Sequence, residues 1–290
     1  LHYPLRRQRQ MCIRDSAYTI ISAKKCNMAF NNIMQLATAH IIKYLSPNPT
    51  VIEWGNQRFR YNMFWVEKCA EVSGKTIRKP VEHVWDYFED LGFSDYAAID
   101  INDQLKAIPM DLNYILKDKY NYTTQHDLVT NNGTGEHIFD QRTVFENMHN
   151  LTKTNGVMLN VLPFFPWINH AFYNYHPILF RDIAAANNYQ WCFLWIAQNT
   201  GNYIDCNLQD WAWFEQKKIK NPVSKLEEVY YSLGDTANIS IIAAYKKIED
   251  KPFVVPMQGR YVNDISGKGI AKEYHNPDVR QSDHTYEHLK

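Results

Sequence analysis

Short apolar runs alternate with helix-spaced segments along most of this chain, and several of the runs end on an acid or an amide. "TVIEWG" (50 to 55), "DYAAIDIND" (95 to 103), "LKAIPMDLN" (105 to 113), "HDLVTN" (126 to 131), "GVMLNVLPF" (156 to 164), "QWCFLWIAQ" (190 to 198) and "NISIIAAYKKI" (238 to 248) have the length and flanking residues of buried strands. Between them, residues 60 to 74, 79 to 93, 143 to 153 and 176 to 189 carry helical periodicity, and a further helix is expected around "KLEEVYYSLG" (225 to 234). In residues 79 to 93, Pro80 occupies the favoured first helical position and Gly92 closes the segment. Strands joined through helices require right-handed crossovers, and so a parallel sheet with helices on both faces. The last strand pair lacks a well-defined crossover helix, which leaves room for an antiparallel strand at one edge. The expected architecture is an α/β, doubly wound, mostly parallel seven-stranded sheet.

Ahead of the first strand, residues 28 to 45 form a helix that "SPNP" stops, so residues 17 to 49 are expected to cap the main domain, residues 50 to 250. Residues 1 to 16 carry four Arg and one Asp without hydrophobic periodicity or an apolar signal core. They resemble translated adapter sequence; the alternative is a disordered basic arm. Residues 251 to 290 are a polar tail, expected to be poorly ordered from about Ser266.

Formal net charge is zero, which gives no electrostatic argument for a nucleic-acid partner. The five cysteines are scattered, with no CxxC or Cys/His cluster, so neither a zinc site nor a disulfide framework is indicated and reduced thiols in the cytoplasm are expected. No metal cluster is evident, and no run approaches the roughly 18 apolar residues of a membrane span.

The polar chemistry collects where strands end. "HDLVTNNGTGEHIFDQ" (126 to 141) places amides, glycines, Glu136 and His137 between a strand and a helix. In open α/β sheets that carboxyl edge is where ligands bind. An acid after the second strand can accept hydrogen bonds from ribose hydroxyls, and Gly55 in the first turn permits close backbone approach. The ordered series "VIEWG", "AAIDIND", "IPMDLN", "HDLVTNNGTGEHIFDQ" and "GVMLNVLPF" resembles the motifs of class I S-adenosylmethionine-dependent methyltransferases, and "EH" followed by "TNGVMLNVLP" is most similar to their small-molecule branch. The resemblance covers about residues 50 to 248.

It implies a Rossmann-like fold and S-adenosylmethionine as cofactor. Glu53, Gly55 and Asn56 then match the cofactor loop, and Asp100 with Ile101 the ribose-binding strand end. Asp111 lies beside the adenine amine, with Met110 or Leu112 on the ring, and Asn131, Asn132 and Gly133 border the methionine moiety. Two departures stand out. The loop reads "GNQRF", with only the first of the family's glycines. The interval from Glu53 to Asp100 is more than twice the ~20 residues of a simple nucleotide-binding unit. Residues 57 to 79 are therefore read as an insertion, either closing over the cofactor or decorating the surface. Glu53 has the alternative role of capping its turn.

After the fifth strand, "FFPWINHAFYNYHP" (164 to 177) supplies aromatic bodies with polar tips, suited to a half-apolar ligand. Trp167, Asn169, Tyr173 and Tyr175 are candidate contacts for a small-molecule methyl acceptor; the competing reading is a loop plugging its own core. "DWAWFE" (210 to 215) could add a second aromatic wall. In-line methyl transfer depends chiefly on positioning, with a base needed only for a protonated acceptor. His170, His176 and His137 are the candidates, although His137 could equally bond the backbone. The rival classes are a nicotinamide-dependent oxidoreductase, disfavoured by the missing GxGxxG, and a catalytically degenerate cofactor-binding or interaction protein.

Overall fold

The computed structural model describes residues 29–198, 203–205 and 238–258. The chain enters through β1 (Ala29–Phe30) and helix α1 (Asn32–Ile41), whose N-cap Asn31 accepts hydrogen bonds from the backbone of Ile33 and Met34. Strand β2 (Thr50–Trp54) is followed by β3 (Arg58–Phe59), α2 (Met63–Ser73) and α3 (Val84–Asp90). Then come β4 (Asp95–Asp100), β5 (Ala107–Pro109), α4 (Leu116–Tyr120), β6 (His126–Asn132), α5 (Gln141–Leu151) and β7 (Thr152–Phe165). Helix α6 (Pro177–Ala186) leads to β8 (Gln190–Gln198), β9 (Tyr203–Asp205) and β10 (Ile239–Lys246).

Among the described residues the main sheet has eight strands in the order β5-β4-β2-β6-β7-β10-β8-β9. The pairs from β5 to β7 are parallel. The antiparallel element gathers at one end, as expected, but it is larger than a single strand. β10 inserts between β7 and β8, antiparallel to both, and short β9 extends the edge antiparallel to β8. With its flanking helices this is the Rossmann-like α/β fold that the methyltransferase resemblance implied. Its first five strands follow the doubly wound order, in which the chain reverses direction across the sheet between β2 and β6.

The side-chain period of two splits the core into two layers. On β7, Val157, Leu159 and Val161 pack with α1, α2 and α3, whereas Met158 and Leu162 pack with α5 and α6. On β2, Val51 faces the first layer and Ile52 and Trp54 face the second, so Glu53 points into the layer beneath α1 and α3.

The segment before β2 is integral to that layer. Phe30 packs on Phe59, Tyr87 and Phe88, and β1 pairs with β3. Fully buried Gln35 donates to the carbonyls of Phe30 and Arg60, while the Tyr87 hydroxyl donates to its carbonyl. Residues 57 to 79 thus supply β3 and α2. The expected helix over 79 to 93 is shorter, and Pro80 is not its first residue. The Asp86 carboxylate accepts the His83 backbone N–H at 3.0 Å, and this cap fixes the start at Val84. The stretches 1 to 16, 210 to 215, 225 to 234 and 259 to 290 lie outside the described residues.

Candidate functional site

The turn after β2 is built for close approach. Gly55 has φ 81°, a conformation that side chains disfavour, and its N–H donates to the Ile99 carbonyl at 2.8 Å. The next N–H, from Asn56, donates to Asp100 Oδ2 at 2.9 Å, while Asp100 Oδ1 accepts from the Asn102 side-chain amide at 2.7 Å. The Asn56 amide in turn donates to Asn102 Oδ1 and to the Gln104 carbonyl. Asp100 is therefore half-buried and already organises the turn. Its two oxygens offer about four acceptor positions, enough to take ligand hydroxyls as well. The backbone N–H of Met110 donates to the Asp100 carbonyl at 2.8 Å, which places the ends of β4 and β5 side by side. Met110 and Leu112 are buried; Ile101 is exposed. Asp111 Oδ1 accepts both N–H groups of Asn113 at 2.9 Å, and Asn113 Oδ1 accepts from Phe139 N at 3.1 Å, joining this corner to the β6 loop.

Glu53 lies beneath the turn, not on its rim. It is fully buried, and it accepts from the Tyr96 hydroxyl at 2.8 Å, the Asn132 amide at 3.2 Å and the Thr130 hydroxyl at 3.5 Å. Burial pushes its carboxyl up to about 7, against the lowering effect of these three donors. In this position it ties β4, β2 and β6 together and positions Asn132. Gln57, also buried, donates to the Asn132 carbonyl. Both amide nitrogens are thereby committed, and Asn132 Oδ1 and Gln57 Oε1 are left as buried acceptors without a hydrogen-bond donor. Gln57 lies in the "GNQRF" turn after Gly55, and its buried side chain turns inward to Asn132 rather than outward to solvent.

The loop after β6 faces the loop after β7 because those strands are parallel neighbours. Asn131 is fully buried. Its oxygen accepts from Gly135 N at 2.8 Å, and its amide donates to Asn160 on β7 at 3.2 Å. Gly133 N–H donates to the Val161 carbonyl. A 3-10 turn, Gly135–His137, then presents Glu136 and His137. From the other loop, His170 brings Nε2 to 3.7 Å from Glu136 Oε1, with His137 Nε2 at 3.9 Å from the same oxygen. The two imidazoles meet edge to face at 5.1 Å. Burial lowers the His137 pKa; Glu136 opposes that shift and His170 reinforces it. The sequence offered no metal cluster. The fold nevertheless brings Glu136, His137 and His170 together from two loops, with potential ligand atoms all within 4.8 Å of one another.

The expected aromatic loop divides by role. Trp167 donates its indole N–H to the Ile239 carbonyl at 2.7 Å, anchoring the loop across β10, and its ring lies tilted against His170 with centroids 4.7 Å apart. Tyr173 reaches back to the Phe139 carbonyl at 2.9 Å. Tyr175 is buried against Phe145 and Phe180, with its hydroxyl on Gln141. Asn169 is exposed at the tip. His176, exposed and edge-on to Phe164, precedes α6 and lies outside the Glu136 cluster. Phe139, Phe165, Ile168 and Phe172 remain exposed around this rim. Glu136, Gln57, Tyr96 and Asn102 are site residues that sequence reasoning did not single out. Of these, only Glu136 carried a signal, as the acid of the quoted "EH".

No family model matches this sequence, and no curated protein matches it significantly. Among solved structures, the chain is similar to TehB from Haemophilus influenzae at 12% identity and TM-score 0.40, covering 73% of this chain and 61% of that one. A putative methyltransferase from Bacillus halodurans C-125 matches at 12% identity and TM-score 0.41, over 74% of this chain and 99% of that one. A SAM-dependent methyltransferase from Thiobacillus denitrificans in complex with S-adenosyl-L-homocysteine matches at 10% identity and TM-score 0.37, over 77% and 96%. The strand order stands on its own hydrogen-bonded pairings, independent of these likenesses. Among the described residues, no helix is long and apolar enough to cross a membrane.

Proposed function

We propose that this chain is an S-adenosylmethionine-dependent methyltransferase acting on a small, partly apolar acceptor. The observation that carries the reading is the chain reversal between β2 and β6, with the Asp100 carboxylate and two donor-less amide oxygens gathered at it. A sheet of this kind binds its ligand at that reversal. Asp100 would hold the ribose hydroxyls, and Met110 and Leu112 would flank the adenine beside Asp111. Asn132 Oδ1 and Gln57 Oε1 are acceptors in need of a donor, which suits an ammonium group at the methionine end. They do not suit a pyrophosphate, which needs donors, and the first turn lacks the glycines that a dinucleotide cradle uses. Half-buried Asp100 and buried Met110 and Leu112 support the nucleoside end of this reading. At the methionine end, Gln57 narrows the loop.

When bound, this cofactor supplies a methyl group already activated by the positive charge of the sulfonium. The protein's work is then positional: to align the acceptor and to exclude water. The exposed Phe139 and Phe172 rings, 6.0 Å apart, suit an apolar acceptor body. His170 and His137 stand on the same rim, where an acceptor proton would leave.

Calorimetric titration with S-adenosylhomocysteine and with NADH tests the reading. S-adenosylhomocysteine should bind and raise the melting temperature by mass action, and NADH should do neither. Binding of NADH alone would replace the reading with an oxidoreductase.

A further inference from the structure

We propose that Glu136, His137 and His170 form a site for one divalent transition cation. Glu136 is 1% exposed, and its Oε2 is buried without a hydrogen-bond partner. Its Oε1 faces the Nε2 atoms of His170 and His137 at 3.7 and 3.9 Å, too long for hydrogen bonds. A buried carboxylate oxygen without a donor is costly, and natural sites relieve that cost by pairing the charge or by coordinating a metal. Around a tetrahedral cation with bonds of about 2.1 Å, ligand atoms lie about 3.4 Å apart. All the potential ligand atoms here lie within 4.8 Å of one another, so a small inward movement completes the set.

Two imidazoles and one carboxylate suit zinc, iron(II), cobalt or manganese better than the all-oxygen preference of magnesium or calcium. The tether is firm on both sides. Gly135 N is held by Asn131, and the Phe172 backbone N–H donates to the Glu136 carbonyl at 3.1 Å, which ties the His170 loop to the carboxylate's own residue. Trp167, anchored on Ile239, packs against the His170 ring.

Three protein ligands leave a coordination position open. If the methyl-transfer reading holds, an acceptor bearing an oxygen donor would complete the shell, and the cation would lower the pKa of that donor so that its proton passes to solvent, both histidines being committed as ligands. The cation site itself stands without that reading.

Cobalt(II) titrated into metal-free, untagged full-length protein tests the inference, followed by visible absorption and by calorimetry. One equivalent should bind and develop d–d bands that zinc abolishes by competition. Glu136→Gln and His170→Ala should each weaken cobalt binding at least about tenfold, a clear loss on the affinity scale. His83→Ala, at the exposed N-cap position before α3, should not. His170 lies on an exposed loop, so its variant keeps the test valid should the buried Glu136→Gln misfold. Absence of the bands, or bands unchanged in His170→Ala and in folded Glu136→Gln, overturns the site. Cobalt binding without S-adenosylhomocysteine binding would sink only the methyltransferase reading, and the reverse result only the cation site.

Discussion

The carboxylate of Asp100 accepts the backbone N–H of Asn56 at 2.9 Å, so the end of β4 holds the turn that leaves β2. One side chain therefore serves the loop and, on the proposed function, the ribose. Asp100→Ala removes the charge-assisted bonds to both, each worth about 1.5 to 3 kcal/mol. Affinity for S-adenosylhomocysteine should fall at least about tenfold. Exchange of the Asn56 amide should accelerate even without ligand. Titration calorimetry and hydrogen exchange read the two effects separately, and unchanged affinity would leave Asp100 a turn residue only.

Glu53 gives stability an unusual pH dependence. Its carboxyl is raised from 4.5 to about 7, chiefly by burial, so the folded state holds the proton more tightly than the unfolded chain. That contribution is complete below about pH 4.5 and is lost as pH rises through 7. Glu53→Gln keeps the shape and abolishes the titration. The stability of wild type relative to the variant should decline across that window by about 3 kcal/mol, at 1.36 kcal/mol per unit. Denaturant melts of both proteins at pH 5 and pH 8 measure it; parallel behaviour would mean Glu53 is ionised throughout.

His149 works in the opposite direction. It is buried, Nδ1 accepts from the Tyr189 hydroxyl at 2.6 Å, and Nε2–H donates to the Lys251 carbonyl at 2.6 Å. Burial, reinforced by nearby Lys247, lowers its pKa from 6.5 to about 4. Its contribution is present above pH 6.5 and is lost as pH falls toward 4. Ring-nitrogen chemical shifts should report a neutral Nε2–H imidazole at pH 5.5; a charged ring at that pH would contradict the assignment.

Gly135 is constrained by space. A Cβ there would lie 2.6 Å from Asn131 Nδ2 and 3.1 Å from Val144 Cγ1. Gly135→Ala must displace the Asn131 side chain that binds Gly135 N and Asn160, at a cost of about 1 to 3 kcal/mol. Thermal or chemical denaturation should find the loss, and cobalt affinity should drop with it because Glu136 follows directly. A variant as stable as wild type would show that the turn can give way.

The alternation of apolar runs with helical segments was enough to predict that β2, β4, β5, β6 and β7 form a parallel sheet and to place Gly55, Asp100 and Asp111 at its carboxyl edge, whereas the order of the strands came from the structure. Those properties follow from local periodicity and chain order, which are written residue by residue. Helix α3 was misplaced because Pro80 was a weaker start signal than the cap that Asp86 makes. The role of Glu53 was only half legible: its position at a strand end is a sequence fact, but its burial depends on Tyr96, Thr130 and Asn132 arriving from two other strands. The same holds for Gln57, whose side chain turns inward to Asn132.

Tertiary structure alone decided the pairing of Glu136 with His170. The two lie on separate loops, and no spacing rule links them. They meet because β6 and β7 are parallel neighbours whose carboxyl ends emerge together, and because Trp167 pins the second loop over β10. The sequence fixes which residues can coordinate or bond. Long-range strand pairing, which local periodicity does not encode, decides which of them come within reach.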